Sequence, residues 1–80
     1  MYYVYILYSE SLKKYYVGQT NDLDKRLVRH NMGHGNFTKK GIPWVLVWKL
    51  EVPDRSEAMK LEKKIKGRGA HRFIEENITE

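Results

Sequence analysis

Apolar residues in the first twenty positions fall into two short runs separated by a polar stretch. The run over residues 1–8 is aromatic and β-branched with no charged position, which predicts a strand covered on both faces. Residues 9–14 are polar and turn-like, and residues 15–19 predict a second short strand. We expect the two strands to pair as a hairpin.

After the second strand the pattern changes to helical spacing. Asn21 is the predicted N-cap of a helix that continues to about His30, and two aspartates in its first turn favour the helix dipole. Gly33 and Gly35 are expected to end this helix. The basic residues 38–41 then predict a flexible loop.

Residues 44–52 form the predicted third strand, whose first half is apolar at successive positions. Asp54 is the predicted N-cap of a helix to about Lys66, with Glu57 in a capping-box position, and residues 70–76 predict a short final helix. The order strand, strand, helix, strand, helix, helix predicts a small α+β domain over residues 1–80. Its core is expected to be a three-stranded antiparallel sheet flanked by helices.

In the first helix, Leu23 and Leu27 mark the buried stripe, since residues four apart share a face. Arg26 and His30 are themselves four apart and fall on the border of that stripe. Side chains at this border can lean over the edge of the sheet, so we expect both to face a shared cleft.

The later helix carries a carboxylate within its apolar arc. Four apolar residues define that arc: Ala58, Met59, Leu61 and Ile65. Glu62 lies between them in projection, where a charge is costly unless it is paired or bound to a metal. Two explanations remain open, a metal ligand or an ion pair with Lys66 one turn later.

The composition adds a bias towards polyanionic partners. Fifteen lysines and arginines against ten acidic residues give a net charge of +5, and there is no cysteine to build a disulfide or a thiolate zinc site. No apolar run approaches the ~18 residues of a membrane span, and the first residues lack a signal-peptide pattern. We therefore expect a cytoplasmic protein that does not associate with membranes.

Two further sets of residues have more than one interpretation. Trp44 and Trp48 either stack on bases or pack in the core, and we expect at least one to be in the core. Five basic residues are candidates for contacts with a nucleic-acid backbone, or else form a solvated face: Lys39, Lys40, Lys63, Lys64 and Arg68.

Several ordered motifs carry a family resemblance. The triplets Tyr3-Val4-Tyr5 and Tyr16-Val17-Gly18 are followed by Arg26 and His30 on one helix and by Leu61-Glu62 on another. In this order and spacing, over roughly residues 3–66, the chain resembles the GIY-YIG nuclease superfamily. The resemblance is to its minimal single-domain bacterial branch, the UPF0213-like proteins.

The resemblance implies a divalent-metal-dependent endonuclease that hydrolyses phosphodiester bonds of nucleic acid. We expect DNA in preference to RNA, and we expect selectivity for substrate structure because 80 residues leave little surface for base readout. The resemblance implies that Glu62 holds a single Mg²⁺ or Mn²⁺ ion. Tyr16 would act as the general base that activates water, or help to form it, with Tyr5 beside it.

The resemblance also assigns roles on the first helix and the second strand. Arg26 would steady the phosphate charge, His30 would assist proton transfer or orientation, and Gly18 would allow close backbone approach. The chain departs from the family pattern at Tyr3, where the first triplet has a glycine, and at Gln19, where many relatives have a lysine.

A second function class remains open beside the enzyme. The same fold would serve as a nucleic-acid-binding module without efficient cleavage, and a protein-interaction module ranks third. The presence of Tyr16, Arg26, His30 and Glu62 together favours the enzyme. The sequence leaves the oligomeric state open.

Overall fold

The computed structural model describes residues 1–33 and 38–77. Its strands are β1 (Tyr2–Ser9), β2 (Lys14–Thr20) and β3 (Trp44–Val52), which form an antiparallel sheet in the order β2-β1-β3. Its helices are α1 (Leu23–Asn31), α2 (Arg55–Arg68) and α3 (Ala70–Asn77), and a short 3₁₀ helix spans Thr38–Gly41. The predicted α+β class with a three-stranded antiparallel sheet is confirmed.

The central strand β1 is covered on both faces, as its unbroken apolar sequence predicts. Val4, Tyr5, Ile6 and Leu7 are each no more than 1% exposed. Because side chains alternate along a strand, Val4 and Ile6 lie on the face covered by α2 and α3, whereas Tyr5 and Leu7 lie on the face covered by α1. The core is therefore two apolar layers with the sheet between them.

A β-bulge explains the unbroken apolar run in β3. Ile6 of β1 pairs with Trp48, but the next residue of β1 pairs with Leu46, so Val47 is an extra residue in β3. The bulge reverses the faces of the alternating side chains: Trp44 and Leu46 pack in the α1 layer and Trp48 in the other. Trp44 is 2% exposed, which confirms that at least one tryptophan belongs to the core.

The start of α1 differs by one residue from the prediction. The N-cap is Asp22, whose side chain accepts from the backbone N–H of Lys25 at 3.1 Å, so Asn21 was the wrong choice. The side-chain oxygen of Thr20 accepts from the backbone N–H of Asp22 at 3.1 Å. This local turn places the Asp22 carboxylate over the first turn of the helix.

The segment that follows α1 has more structure than predicted. Residues Thr38–Gly41 form a 3₁₀ helix where a flexible loop was expected. Gly41 is buried against Trp44, and a Cβ at Gly41 would lie 2.7 Å from the Cε2 atom of that ring. Gly35, the second expected helix stop, lies outside the described residues.

Helix α2 begins as predicted and ends later. Asp54 is its N-cap and accepts from the backbone N–H of Glu57 at 2.9 Å. The helix passes through Gly67 and ends at Gly69, whose φ of 94° lies in the region that favours glycine. Met59 is 53% exposed and was wrongly assigned to the apolar arc. Within residues 1–33 and 38–77, no helix is both long and apolar enough to cross a membrane.

Candidate active site

Tyr5 and Tyr16 project from the same face of the sheet. Tyr5 pairs with Gly18 across β1 and β2, and Tyr16 lies two residues before Gly18, so the two rings are diagonal neighbours with centroids 6.5 Å apart. A Cβ on Gly18 would lie 2.5 Å from the Tyr5 hydroxyl oxygen and 2.7 Å from its Cζ atom. The glycine therefore makes room for the Tyr5 ring.

His30 joins the two tyrosines from α1, and we call Tyr5, Tyr16 and His30 the tyrosine–histidine cluster. The His30 ring centroid lies 4.8 Å from that of Tyr16 and 6.0 Å from that of Tyr5. The Tyr5 hydroxyl oxygen is 3.1 Å from Nε2 of His30 in a buried hydrogen bond. At 7% exposure, His30 is deeper than the border position predicted for it.

Burial shifts the pKa values of Tyr5 and His30 in opposite directions. It raises the pKa of the Tyr5 phenol, the nearby Tyr16 and Glu62 raise it further, and the guanidinium of Arg26 opposes them. Burial also lowers the pKa of His30, and the positive charge of Arg26 lowers it further. At neutral pH Tyr5 keeps its proton and His30 is uncharged. The two neutral groups share one hydrogen bond, in which the His30 tautomer decides whether the Tyr5 O–H or the Nε2–H donates.

Glu62 approaches from the other face of the sheet. Gln19 pairs with Val4 in the strand register, so its side chain lies on the α2 side, where its Nε2 donates to Oε1 of Glu62 at 3.1 Å. Lys66 Nζ lies 2.8 Å from the other carboxylate oxygen of Glu62, whose side chain is only 19% exposed. The ion pair with Lys66, which the sequence offered as an alternative, is present.

A cleft of about 290 Å³ lies at the end of β2, between α1 and α2. Its lining residues are Tyr2, Gln19, Thr20, Asn21, Arg26 and Arg55. Arg26 also lines a smaller hollow of about 120 Å³, which shares part of the same wall. The cleft links the two faces of the sheet, because Arg26 acts on the Tyr5 phenol and Gln19 holds the Glu62 carboxylate.

Gln19 and Glu62 are the residues at this cleft and next to it that would supply oxygen ligands to a divalent cation. Oε1 of Gln19 is buried and has no hydrogen-bond partner in the described part of the chain, and the Glu62 carboxylate lies next to the same side chain. Residues 1–33 and 38–77 contain no group of three or more histidines and carboxylates that could hold a metal. A divalent cation held there would need waters to complete its coordination, since one carboxylate and one amide oxygen are too few ligands.

The five basic candidates for backbone contacts do not share one face. Lys39 and Lys40 are exposed on the 3₁₀ helix beside α1, whereas Lys63 and Lys64 are exposed on α2 across the sheet. Arg68 forms a two-contact ion pair with the carboxylate of Glu76. Its charge is therefore already partly neutralised.

Two residues of this site were missed as functional candidates. Gln19 was noted only as a departure from the family pattern, although its position directly after Gly18 places it on the opposite face of β2. Arg55 was not among the residues that the sequence singled out. No local signal identifies Arg55, because its place beside Arg26 arises from the packing of two separate helices.

Comparisons with known proteins identify relatives of this chain among the UPF0213 proteins. The UPF0213 protein YsiG of Lactococcus lactis is 39% identical over 62 residues, which cover 76% of this chain and 59% of that protein. The UPF0213 protein BH0048 of Halalkalibacterium halodurans is 37% identical over 65 residues, covering 80% of this chain and 68% of that protein. The chain spans about half to three fifths of the length of several curated relatives that it matches.

A solved structure and a family model place the resemblance over nearly the whole chain. The solution NMR structure of the UPF0213 protein BH0048 from Bacillus halodurans has a TM-score of 0.57 and 32% identity, covering 94% of this chain and 81% of that one. The model of the GIY-YIG catalytic domain matches residues 1–73. GIY-YIG domains are nucleases that act on nucleic acid and generally use divalent metals. This chain belongs to the GIY-YIG family.

Proposed function

We propose that this chain is a divalent-metal-dependent endonuclease that hydrolyses phosphodiester bonds of nucleic acid, with DNA as the substrate. The observation that carries the proposal is the presence of Arg26 and Gln19 in the cleft beside β2, since each is linked to a second group that lies outside the lining. Arg26 lines the cleft and acts electrostatically on the Tyr5 phenol, and Gln19 lines it while holding the Glu62 carboxylate. A cation, a metal-binding carboxylate and phenolic hydroxyls are the groups that this hydrolysis requires.

Tyr16 is the proposed general base. It is half-buried, whereas Tyr5 is 1% exposed and its hydroxyl is bonded to His30. The anionic form of Tyr16 takes a proton from water, the water oxygen bonds to phosphorus, and one bridging oxygen leaves with the electron pair of its P–O bond.

Tyr5 and His30 are proposed as positioning residues. Both are buried, and the hydrogen bond between them joins the central strand to α1. His30 also packs edge-on against the Tyr16 ring with centroids 4.8 Å apart. The pair therefore holds the Tyr16 ring in place while remaining outside the reach of bulk water.

Arg26 and Glu62 have the charged roles in the proposal. The Arg26 guanidinium is exposed in the cleft, where it donates to phosphoryl oxygens as their charge grows in the transition state. Glu62 and Gln19 would hold the metal through their carboxylate and amide oxygens. When bound there, a divalent ion neutralises charge on the phosphate.

The test is cleavage of supercoiled and branched DNA, with an RNA panel in parallel, in Mg²⁺, in Mn²⁺ and in a chelator. We expect wild type to cleave only with metal and Glu62→Gln to lose that cleavage while keeping nucleic-acid binding. The matched control is Glu57→Gln, because Glu57 lies on the same helix, is exposed and pairs only weakly with Lys60 at 3.5 Å. Equal trace cleavage by wild type and Glu62→Gln on every substrate would overturn the enzyme proposal.

A binding module on the same fold is the second candidate. The ion pair between Glu62 and Lys66 favours it, because a carboxylate satisfied by an ammonium group has less need of a metal. Retained nucleic-acid binding without metal-dependent cleavage by wild type supports this candidate. Under it, Lys63 and Lys64 are proposed to contact the backbone, and Lys39 and Lys40 form a second basic surface.

A further inference from the structure

Two arginines from different helices face the cleft at the end of β2. Arg26 belongs to α1 and Arg55 is the first residue of α2, and these helices cover opposite faces of the sheet. The remaining lining residues are uncharged and polar or aromatic: Tyr2, Gln19, Thr20 and Asn21. Among the described residues, no carboxylate lines the cleft, so its charge is positive.

Both guanidinium groups are available to a ligand. Both side chains are exposed, and within residues 1–33 and 38–77 neither forms an ion pair with a carboxylate. Arg68 is the contrast, because Glu76 accepts from two of its guanidinium nitrogens. The cleft of about 290 Å³ is far larger than the ~30 Å³ occupied by one water molecule, so it has room for a multi-atom anion.

We propose that Arg55 and Arg26 form a phosphate-binding site in this cleft that takes phosphodiester groups of a nucleic-acid strand. Guanidinium groups bind phosphate oxygens through two parallel N–H donors, and backbone phosphates are the anions that a strand presents in series. The net charge of +5 attracts a polyanion to the protein from a distance. The two arginines in the cleft then bind its phosphates at one defined place.

The positions of Arg26 and Arg55 indicate which phosphate of the strand each one binds. This assignment rests on the proposed function. Arg26 acts on Tyr5 and His30 and is assigned to the phosphate that is attacked. Arg55 lies on the α2 wall of the same cleft and is absent from the groups that influence either of those residues. It therefore holds a neighbouring phosphate of the strand and fixes the strand's register at the catalytic groups.

The experiment compares Arg55→Gln with Arg72→Gln, an exposed arginine on α3 that does not line the cleft. Binding of a labelled DNA oligonucleotide is measured by fluorescence anisotropy over a range of salt concentrations, with chelator present to prevent cleavage. We expect Arg55→Gln to weaken binding about tenfold and to reduce the salt slope of log K by ~0.7–0.9. Arg72→Gln is expected to change neither quantity by as much.

Two further measurements test the site. The first asks whether the guanidinium shape of Arg55 matters beyond its charge, and the second asks whether the site binds phosphate without a nucleic-acid strand. Arg55→Lys keeps the charge, so we expect it to restore the salt slope while recovering only part of the affinity. Inorganic phosphate titrated against the arginine Nε–Hε NMR signals is expected to shift those of Arg55 and Arg26 and to leave that of Arg72 unchanged.

The outcomes separate this inference from the proposed nuclease activity. If Arg55→Gln has the affinity and salt slope of Arg72→Gln, the cleft is not the phosphate site, whatever wild type cleaves. If wild type fails to cleave any substrate but Arg55→Gln still shows the expected loss, the phosphate site stands and only the nuclease proposal fails.

Discussion

The Tyr5 hydroxyl oxygen lies 3.1 Å from Nε2 of His30, and this buried bond joins the central strand to α1. Burial raises the pKa of Tyr5 and lowers that of His30, so both groups are uncharged at neutral pH. We therefore assign this neutral hydrogen-bonded pair the role of holding the neighbouring Tyr16 ring in position. Tyr16 lies beside both rings, is half-buried, and is the residue proposed as the general base.

The two tyrosines are expected to respond differently to loss of the hydroxyl. Tyr16→Phe should lower kcat by about 10²-fold or more, since it removes the proposed general base. Tyr5→Phe should cost about 1–3 kcal/mol of unfolding free energy, because it leaves Nε2 of His30 buried without its hydrogen-bond partner. Single-turnover cleavage and urea unfolding measure the two effects. A Tyr5→Phe variant with wild-type stability and no activity would contradict the positioning role.

The close approach of Tyr5 to Gly18 predicts a large effect from one methyl group. In Gly18→Ala the new Cβ would lie 2.5 Å from the Tyr5 hydroxyl oxygen, so the ring must move and its bond to His30 is disturbed. We expect a loss of about 1–3 kcal/mol in unfolding free energy, together with a changed His30 side-chain NMR signal.

Gly67→Ala is the matched control for Gly18→Ala. Gly67 lies within α2 and a Cβ there meets no atom within 4 Å. Alanine is the better helix former, so this variant should gain about 0.5–1 kcal/mol. If both alanine variants are equally stable, the packing of Tyr5 on Gly18 does not constrain the fold.

Metal binding at Glu62 is expected to compete with Lys66. The Lys66 ammonium group lies 2.8 Å from the carboxylate and its side chain is 58% exposed, so it can swing away into solvent. Lys66→Gln removes this competitor and should tighten Mg²⁺ binding several-fold, whereas Glu62→Gln should abolish it. The measurement is an NMR titration of backbone amides with Mg²⁺ in the absence of nucleic acid. Amide shifts that are the same in all three proteins would place the metal elsewhere.

The stability of the protein should depend on pH through His30. Its pKa is lowered in the folded state by burial and then by Arg26, so the unfolded chain takes up the proton more readily. The contribution of neutral, buried His30 to the unfolding free energy is therefore complete above the unfolded pKa of about 6.5. This contribution declines as the pH falls from that value towards the lowered pKa of the folded state.

Urea unfolding of wild type and His30→Gln at a series of pH values tests this dependence. The difference in unfolding free energy between the two proteins should shrink as the pH falls below about 6.5. His71→Gln is the control, because His71 is exposed on α3. A difference that stays constant with pH would mean that His30 titrates alike in both states.

Local sequence determined the secondary structure and its class. The unbroken apolar run of β1, the aspartate N-cap of α2 and the alternation of strands and helices predicted an α+β fold with a three-stranded sheet, and the structure has it. These features depend on near neighbours in the chain, so the pattern alone carries them. The ordered motifs from Tyr5 to Glu62 likewise pointed to the family that the matching domain model identifies.

The tertiary structure alone decided how the candidate residues meet. Strand alternation separates Gln19 from Gly18, but only the docking of α1 and α2 on opposite faces makes Tyr5 and His30 partners and brings Glu62 to Gln19. The burial of His30 and the bulge at Val47 also follow from that packing. A helical or strand period gives the face on which a side chain lies, whereas the element that covers that face is set by contacts between residues distant in sequence. Arg55 could not be predicted from the sequence pattern, because it shares a cleft with Arg26 only once both helices have packed on the sheet.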